Sequence, residues 1–215
     1  MKEKSAAEIE EILTTLEELY PNPETALEYD NNFQLLLAVI LSAQTTDKQV
    51  NKVTNELFKK FKEPEDFAKL SPEDLEPHLE GLGLYRNKSK YLVQTCRKLI
   101  EDYEGEVPEE RKELMKLSGV GRKTANVVSS CAFGEDAIAV DTHVFRVSNR
   151  LGLADSEDVA EVEEQLMDIL PQEKWSLAHH WLIFHGRETC KARNPRCVDC
   201  ELQDYCNYYQ TEVLS

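Results

Sequence analysis

The chain has 215 residues, 41% of them hydrophobic, so it can bury a sizeable core and has room for one large domain or two small ones. Its formal net charge of −16 argues against a surface that binds nucleic acid everywhere, because phosphate binding depends on Lys and Arg. The amino terminus lacks the pattern of an export signal and no window is apolar enough to span a bilayer, so we expect a cytoplasmic protein that does not associate with membranes.

The charge is distributed unevenly along the chain. Residues 81–150 carry 12 basic and 10 acidic side chains, whereas residues 1–80 and 151–215 have net charges of −10 and −8. A second basic segment, residues 186–197, contains four cations and a single acid. Its cations are Arg187, Lys191, Arg193 and Arg196. These two regions are where the sequence predicts contacts with a polyanion.

Nearly every segment has the hydrophobic period of a helix. Residues 32–44 are apolar on all sides and too short to span a bilayer, which predicts a buried core helix. Residues 45–61 predict a surface helix with a Thr or Asp cap. Its buried stripe comprises Val50, Val53, Leu57, Phe58 and Phe61.

The following segments are also helical by this criterion. Residues 63–70 and 71–79 each have a proline near the first helical position, which predicts two short helices. Residues 86–103 predict a longer amphipathic helix with Tyr91, Leu92, Thr95, Cys96 and Leu99 directed inward. Three later segments, 140–153, 157–170 and 175–190, are helical as well. The strand-like run 136–141 is too short and unpartnered to found a sheet, so the fold class is all-α.

The stretch LSGVGRKTANVV, residues 117–128, has the pattern of a helix-hairpin-helix. Gly119 and Gly121 allow positive φ and close backbone approach, and they lead into a helix that begins near Arg122. The backbone N–H groups of Gly119, Val120 and Gly121 and the dipole of the helix start form an anion site that fits a DNA phosphate, and Arg122 is expected to contact the DNA there. Leu117 and Val120 would pack beneath. The alternative is an ordinary corner between two helices.

Lys123 and Asp141 are the candidate catalytic pair. A lysine in the first turn of a helix usually binds phosphate or faces solvent, but the helix dipole and any burial favour the neutral amine, which is a nucleophile. Asp141 is expected to cap the helix that follows it, and a capping carboxylate stays ionised, which suits the stabilisation of a cationic sugar carbon or an iminium.

Four cysteines at the carboxyl end have the spacing C-x6-C-x2-C-x5-C. They are Cys190, Cys197, Cys200 and Cys206. A four-thiolate zinc site usually uses two close pairs, whereas one pair flanked by wider gaps suits a [4Fe-4S] cluster held at separated corners. The neighbouring cations offset the cluster charge or face outward to bind phosphate, and both roles can hold at once. Cys96 and Cys131 are expected to be inert core residues.

Taken together, these motifs resemble the endonuclease III family, the bifunctional DNA glycosylases and abasic-site lyases of the helix-hairpin-helix superfamily. The resemblance rests on LLLAVILSAQTTDKQVN, GLYRNKSKYL, LSGVGRKTANVV, VDTHVFRVSNRLGL and the cysteine loop 190–206, which occur in the family's order. It implies that Lys123 is the nucleophile, that Asp141 is its partner and that the four cysteines hold a [4Fe-4S] cluster.

The resemblance also implies an architecture of two lobes. A six-helix barrel would span residues 24–136 and contain the helix-hairpin-helix at about 108–133, and residues 1–23 plus 137–215 would form the cluster lobe. Lys123 and Asp141 would then belong to different lobes, with the active site in the cleft. Gln44 would fill the gap left by a flipped nucleotide, Leu84 would wedge the opposite strand, and His143 matches a position near the DNA.

The function implied is base excision repair by a monomer acting at the nucleoid on double-stranded DNA that contains damaged pyrimidines or abasic sites. Lys123 separates the chain from adenine-mismatch glycosylases, and the four cysteines separate it from 8-oxoguanine glycosylases. Two alternatives are a related glycosylase with a different lesion choice and a non-catalytic DNA-binding iron-sulfur module. A further rival is an iron-sulfur electron carrier. The acidity departs from the family, whose members are more often basic.

Overall fold

A computed structural model describes residues 4–21, 23 and 25–214, and every regular secondary-structure element within those ranges is a helix. The all-α prediction is therefore confirmed. The chain divides into two compact units, which are Thr25–Glu135 and Met1–Glu24 with Asp136–Ser215. We call them the hairpin unit and the cysteine unit. In the described residues, no helix is long and apolar enough to cross a membrane.

Eleven α-helices are present among the described residues. The cysteine unit contains α1 (Ala6–Leu19), α9 (Thr142–Leu151), α10 (Val159–Ile169) and α11 (Trp175–Glu188). The hairpin unit contains α2 (Asn32–Leu41), α3 (Asp47–Lys60), α4 (Pro64–Ala68), α5 (Pro72–Leu75), α6 (Tyr85–Tyr103), α7 (Arg111–Leu114) and α8 (Arg122–Phe133).

Helix α2 is the central helix of the hairpin unit. Every residue from Phe33 to Leu41 is buried, and the helix packs against α3, α6 and α8. The predicted core helix is thus correct, but it ends at Leu41 and not at residue 44. Gln44 lies beyond the end, exposed, with a positive φ of 53°. The chain turns there because Thr46 caps the start of α3 by accepting a hydrogen bond from the amide of Gln49.

The amphipathic faces of α3 and α6 are largely those that the sequence predicted. Four of the five predicted residues of α6 are buried, namely Leu92, Thr95 and Cys96 with Leu99. Tyr91 was predicted to point inward and is instead 39% exposed. Its ring lies against Gly119, where the missing side chain leaves room for it at the surface of the unit.

The cysteine unit is built around α9 and α11, which pack against each other, while α1 packs on α11. Residues 136–141 form no strand, although Ala137 to Val140 are buried. The carbonyl oxygen of Ala139 lies 2.6 Å from Nδ1 of His179, a buried residue of α11. This contact gives one polar group of the buried segment a partner, which a segment outside any sheet requires.

Candidate active site

The hairpin connects α7 to α8 through a turn at Gly119. Gly119 has a φ of +78°, and a Cβ at this position would lie 2.9 Å from the ring of Tyr91. Buried Thr95 holds the same turn by donating from Oγ1 to the carbonyl of Ser118 at 2.8 Å. Leu117 and Val120 are buried beneath it, as predicted. Glycine is therefore required here both for the backbone conformation and for packing.

Gly121 differs from Gly119 in its backbone conformation. Its φ is −90°, so of the two features that a glycine allows, this position has the room for close backbone approach and not the positive φ. Gly121 is the N-cap of α8 and supplies no side chain to cap the helix, and a Cβ there would meet nothing within 4 Å. The glycine leaves open space over the start of α8, where a ligand can approach the backbone closely.

The backbone amides at this helix start form the candidate anion site. In the described part of the chain, the amides of Gly119 and Gly121 donate no hydrogen bond, whereas the amide of Val120 donates to the carbonyl of Leu117 at 3.2 Å. The predicted phosphate donor Val120 thus differs from its two neighbours, because its amide already supports the turn from within. With the dipole of α8, the glycine amides provide an environment for one phosphate group.

Lys123 occupies the first turn of α8 and is exposed. Within residues 4–21, 23 and 25–214, its amine takes part in no hydrogen bond or ion pair. Of the two influences considered for Lys123, the helix terminus and burial, the structure has the terminus, at the start of α8, and not the burial. A solvent-facing amine with no structural partner is available to a substrate.

Asp141 is the N-cap of α9, as predicted. Its Oδ1 accepts hydrogen bonds from the amides of both His143 and Val144, each at 2.8 Å. Among the described residues, Oδ2 accepts none. The cap therefore uses one carboxylate oxygen and leaves the other for a second interaction.

His143 lies on α9, half-buried against Gly186 of α11, where a Cβ would approach its ring within 3.1 Å. Burial lowers its pKa below the usual value, and the nearby cations Arg146 and Arg187 act in the same direction against Asp141. In its own unit the ring thus packs against α11, and its Nδ1 lies 3.2 Å from Nη2 of Arg146. Its predicted position near DNA stays a prediction.

The four cysteines line one pocket of the cysteine unit. Burial raises the pKa of the Cys200 thiol to about 11, and repulsion from Cys206 and Cys190 adds to this effect. Burial likewise raises the pKa of Cys197 and Cys206, each of which also feels the charge of Cys190. Four thiols that repel one another as thiolates need a positively charged group between them to ionise together.

The donor set suits an iron-sulfur cluster. Although all four cysteines line the pocket, no three His, Cys, Asp or Glu side chains of the described residues form a group that could hold a single metal ion. A [4Fe-4S] cluster takes one thiolate at each of four separated corners, which matches ligands spread around a pocket. The other two cysteines, Cys96 and Cys131, do not line this pocket. Burial raises the pKa of both thiols, that of Cys131 to about 11.

Two side chains that the sequence analysis did not single out contact the cysteines. Arg150 donates from Nη1 to Sγ of Cys190 at 3.5 Å and to the carbonyl of Lys191 at 2.8 Å. Nε2 of buried His185 lies 3.6 Å from Sγ of Cys200. The sequence offered no signal for Arg150 beyond its place in a predicted helix. The loop that it contacts is about 40 residues away along the chain, and no local pattern indicates that the two meet.

The cations of segment 186–197 face outward. All four of them are exposed, which favours the phosphate-binding alternative over neutralisation of the cluster. They are Arg187, Lys191, Arg193 and Arg196. Arg150 and Arg146 instead hold the loop, Arg146 by donating from Nε to the carbonyl of Cys190 at 3.0 Å.

Gln44 and Leu84 share an unusual conformation in the hairpin unit. Both are exposed and both have positive φ, 53° and 58°, although neither is glycine. Leu84 is 54% exposed at the N-cap of α6. A bulky residue in this backbone region stores strain, and such residues cluster at ligand-binding sites.

Comparisons with known proteins place both parts of the chain in described families. Residues 37–172 match the model of the HhH-GPD superfamily base excision DNA repair protein, and residues 190–206 match the iron-sulfur binding domain of endonuclease III. Endonuclease III of Haemophilus influenzae is 52% identical, over 92% of this chain and 94% of the relative. That of Escherichia coli strain K12 is 49% identical, again over 92% and 94%. A solved trapped endonuclease III–DNA covalent intermediate has a TM-score of 0.93 at 49% identity, covering 98% of this chain and 99% of that chain.

Proposed function

The chain belongs to the endonuclease III family, and from this relationship we propose how its own residues carry out the family's reaction on DNA. It is a bifunctional DNA glycosylase and abasic-site lyase of base excision repair, which removes oxidised pyrimidines from duplex DNA and carries a [4Fe-4S] cluster. The relationship favours the enzyme over the non-catalytic DNA-binding module. The hairpin unit and the cysteine unit are proposed as the two lobes expected at residues 24–136 and 1–23 plus 137–215.

Lys123 is the proposed nucleophile. The observation that carries this proposal is its position, exposed in the first turn of α8 directly after the uncapped start at Gly121, with no partner in the described part of the chain. The amides of Gly119 and Gly121 would hold a phosphate of the substrate strand beside it. The same helix start therefore binds the DNA and presents the amine.

The reaction begins when the damaged nucleotide is flipped out of the duplex. Gln44 would occupy the space it leaves and Leu84 would enter beside the opposite strand. The amine of Lys123, having lost a proton, attacks C1′, and the bond from C1′ to the base breaks. The free oxygen of Asp141 would stabilise the positive charge that develops on the sugar as the base departs.

The second step cleaves the strand. Opening of the sugar ring gives a protonated Schiff base between Lys123 and C1′, whose electron withdrawal makes the C2′ proton acidic. Loss of that proton expels the 3′ phosphate by β-elimination, because the electron pair moves from the C2′–H bond into a new C2′–C3′ double bond. Hydrolysis of the Schiff base then frees Lys123.

The cluster ligands are proposed to be Cys190, Cys197, Cys200 and Cys206, which line one pocket. When bound, the cluster supplies structural order to the loop that carries the exposed cations. Arg150 supports this arrangement, since it bonds both a ligand sulfur and the loop backbone. The exposed cations would then bind the DNA backbone. We propose that the protein acts at the cytoplasmic nucleoid, because its substrate is DNA. We also propose that it acts there as a monomer.

Borohydride trapping on a duplex with one abasic site tests the proposed chemistry. The wild-type protein should form a covalent adduct, and Lys123→Ala should form none while binding the duplex nearly as well. Lys116→Ala is the matched control, since Lys116 is an exposed lysine just before the turn at Gly119 and pairs with Glu113. Loss of DNA binding in Lys123→Ala would make Lys123 a phosphate ligand and refute its role as nucleophile.

A further inference from the structure

Lys88 is a buried lysine that has no role in the proposed reaction. It lies in the first turns of α6 and is 2% exposed. Its Nζ donates to Oγ1 of Thr45 at 2.7 Å, and in the described residues it forms no ion pair. Burial lowers the pKa of this amine. A methionine could fill the same space without the cost of burying a charge, so packing alone does not explain the lysine.

The contacts of Lys88 join the two turns that carry Gln44 and Leu84. Its side chain bonds Thr45, the residue that follows Gln44, while its backbone amide donates to the carbonyl of Leu84 at 3.0 Å. The two turns also touch directly, since a Cβ at Gly83 would lie 3.5 Å from the carbonyl oxygen of Gln44. The backbone bond is the first turn of α6, which any residue here would form, so it is the side chain of Lys88 that ties the turn of Gln44 to the helix start capped by Leu84.

We propose that Lys88 is a positioning residue that holds Gln44 and Leu84 in a fixed relative arrangement, so that both enter the duplex as one rigid element. This rests on the roles proposed above for those two side chains. Each of them occupies a strained backbone conformation that persists only when its surroundings restrain it. A pre-ordered pair loses less conformational entropy on insertion than two independent turns.

Insertion can be measured apart from chemistry and from folding. The probe is a duplex with a tetrahydrofuran abasic analogue, which the lyase cannot cleave, and 2-aminopurine opposite to it. Fluorescence of 2-aminopurine rises when the base is unstacked, and anisotropy on the same duplex fixes the fraction bound. The variants are Lys88→Met, Thr45→Val and Leu84→Ala. The controls are Thr45→Ser, which keeps the acceptor, and Lys98→Met, which removes a more exposed lysine of the same helix.

Lys88→Met should lower the fluorescence at saturation to the level of Leu84→Ala, and kcat/KM for base release should fall roughly tenfold, the size of one lost hydrogen bond to a charged group. The double variant Leu84→Ala/Lys88→Met should be no worse than either single variant. Thr45→Val should reproduce the loss, while Thr45→Ser and Lys98→Met retain the wild-type signal. Lys88→Met should melt no lower than the wild type, because it removes a buried charge.

Two outcomes overturn the proposal. Wild-type fluorescence in Lys88→Met at full binding means that the turns insert without it, and additive losses in the double variant mean that Lys88 acts elsewhere. Borohydride trapping with the wild-type protein distinguishes a failure of the Lys88 proposal from a failure of the proposed function on which it rests. If the wild-type protein forms the adduct and Lys88→Met inserts normally, only the positioning role of Lys88 is refuted. If the wild-type protein forms no adduct, the proposed catalytic function is refuted.

Discussion

Asp141 has two separable roles, as a helix cap and as a charge, and substitution can distinguish them. Asp141→Asn keeps an oxygen at the Oδ1 position, which accepts two amide hydrogen bonds at 2.8 Å, but removes the negative charge. Asn caps helices about as well as Asp, so the free energy of unfolding should fall only by the lost attraction to the helix dipole, about 0.3–1 kcal/mol. Asp141→Ala removes the cap as well and should cost about 1 kcal/mol, with a range of about 0.5–2.

Activity should respond differently from stability. The charge is proposed to stabilise a cationic sugar carbon, and removal of one preorganised electrostatic group costs roughly 100-fold to 1,000-fold in rate. Asp141→Asn should therefore lose roughly that factor in single-turnover base release from a duplex with one oxidised pyrimidine. DNA binding should be equal or tighter, since a negative charge has been removed from a polyanion site.

Asp158 provides a matched control in the same unit. It caps α10 in the same way, with Oδ1 accepting from the amides of Ala160 at 2.8 Å and Glu161 at 3.1 Å. Asp158→Asn and Asp158→Ala should reproduce the stability changes, a melting shift of about 2–4 °C per kcal/mol for a chain of this size, with base release unchanged. Full activity in Asp141→Asn, or an equal loss in Asp158→Asn, would refute the electrostatic role.

Three further predictions concern the hairpin, the cluster and the exposed cations. Gly119→Ala places a Cβ at a position of positive φ and 2.9 Å from the ring of Tyr91, so it should lower the free energy of unfolding by roughly 2 kcal/mol in thermal melting. Gly121→Ala adds a Cβ in open space, so it should melt normally but bind abasic duplex more weakly. Equal melting of the two variants would contradict this assignment. Cys200→Ser should lower the iron content per chain and weaken DNA binding while α-helical circular dichroism of the hairpin unit persists; unchanged iron would exclude Cys200 as a ligand. Affinity for DNA should fall steeply with salt although the net charge of the chain is −16. Arg193→Ala should reduce the slope of log Kd against log salt concentration by about one. An unchanged slope would mean that Arg193 does not contact the DNA.

Much of the fold and the candidate site follows from local pattern. The helical class, the caps at Thr46 and Asp141, the turn at Gly119 and the spacing of the four cysteines are all readable in the sequence and agree with the structure. These features depend on residues within one or two helical turns of one another, because caps, periodic faces and tight turns are determined by neighbours along the chain. The family resemblance, carried by the same short motifs, is confirmed as well.

Other features were decided only by tertiary packing. Local periodicity predicted Tyr91 as buried and extended the core helix to residue 44, but Tyr91 lies at the surface against Gly119 and Gln44 lies in a strained turn. The bonds from Arg150 to Cys190 and from Lys88 to Thr45 join residues 40 and 43 positions apart. No sequence period relates such pairs, since their distance depends on how helices pack. The sequence by itself thus determined which residues could serve as nucleophile, helix cap or cluster ligand. The tertiary structure determined which distant side chains hold them in place.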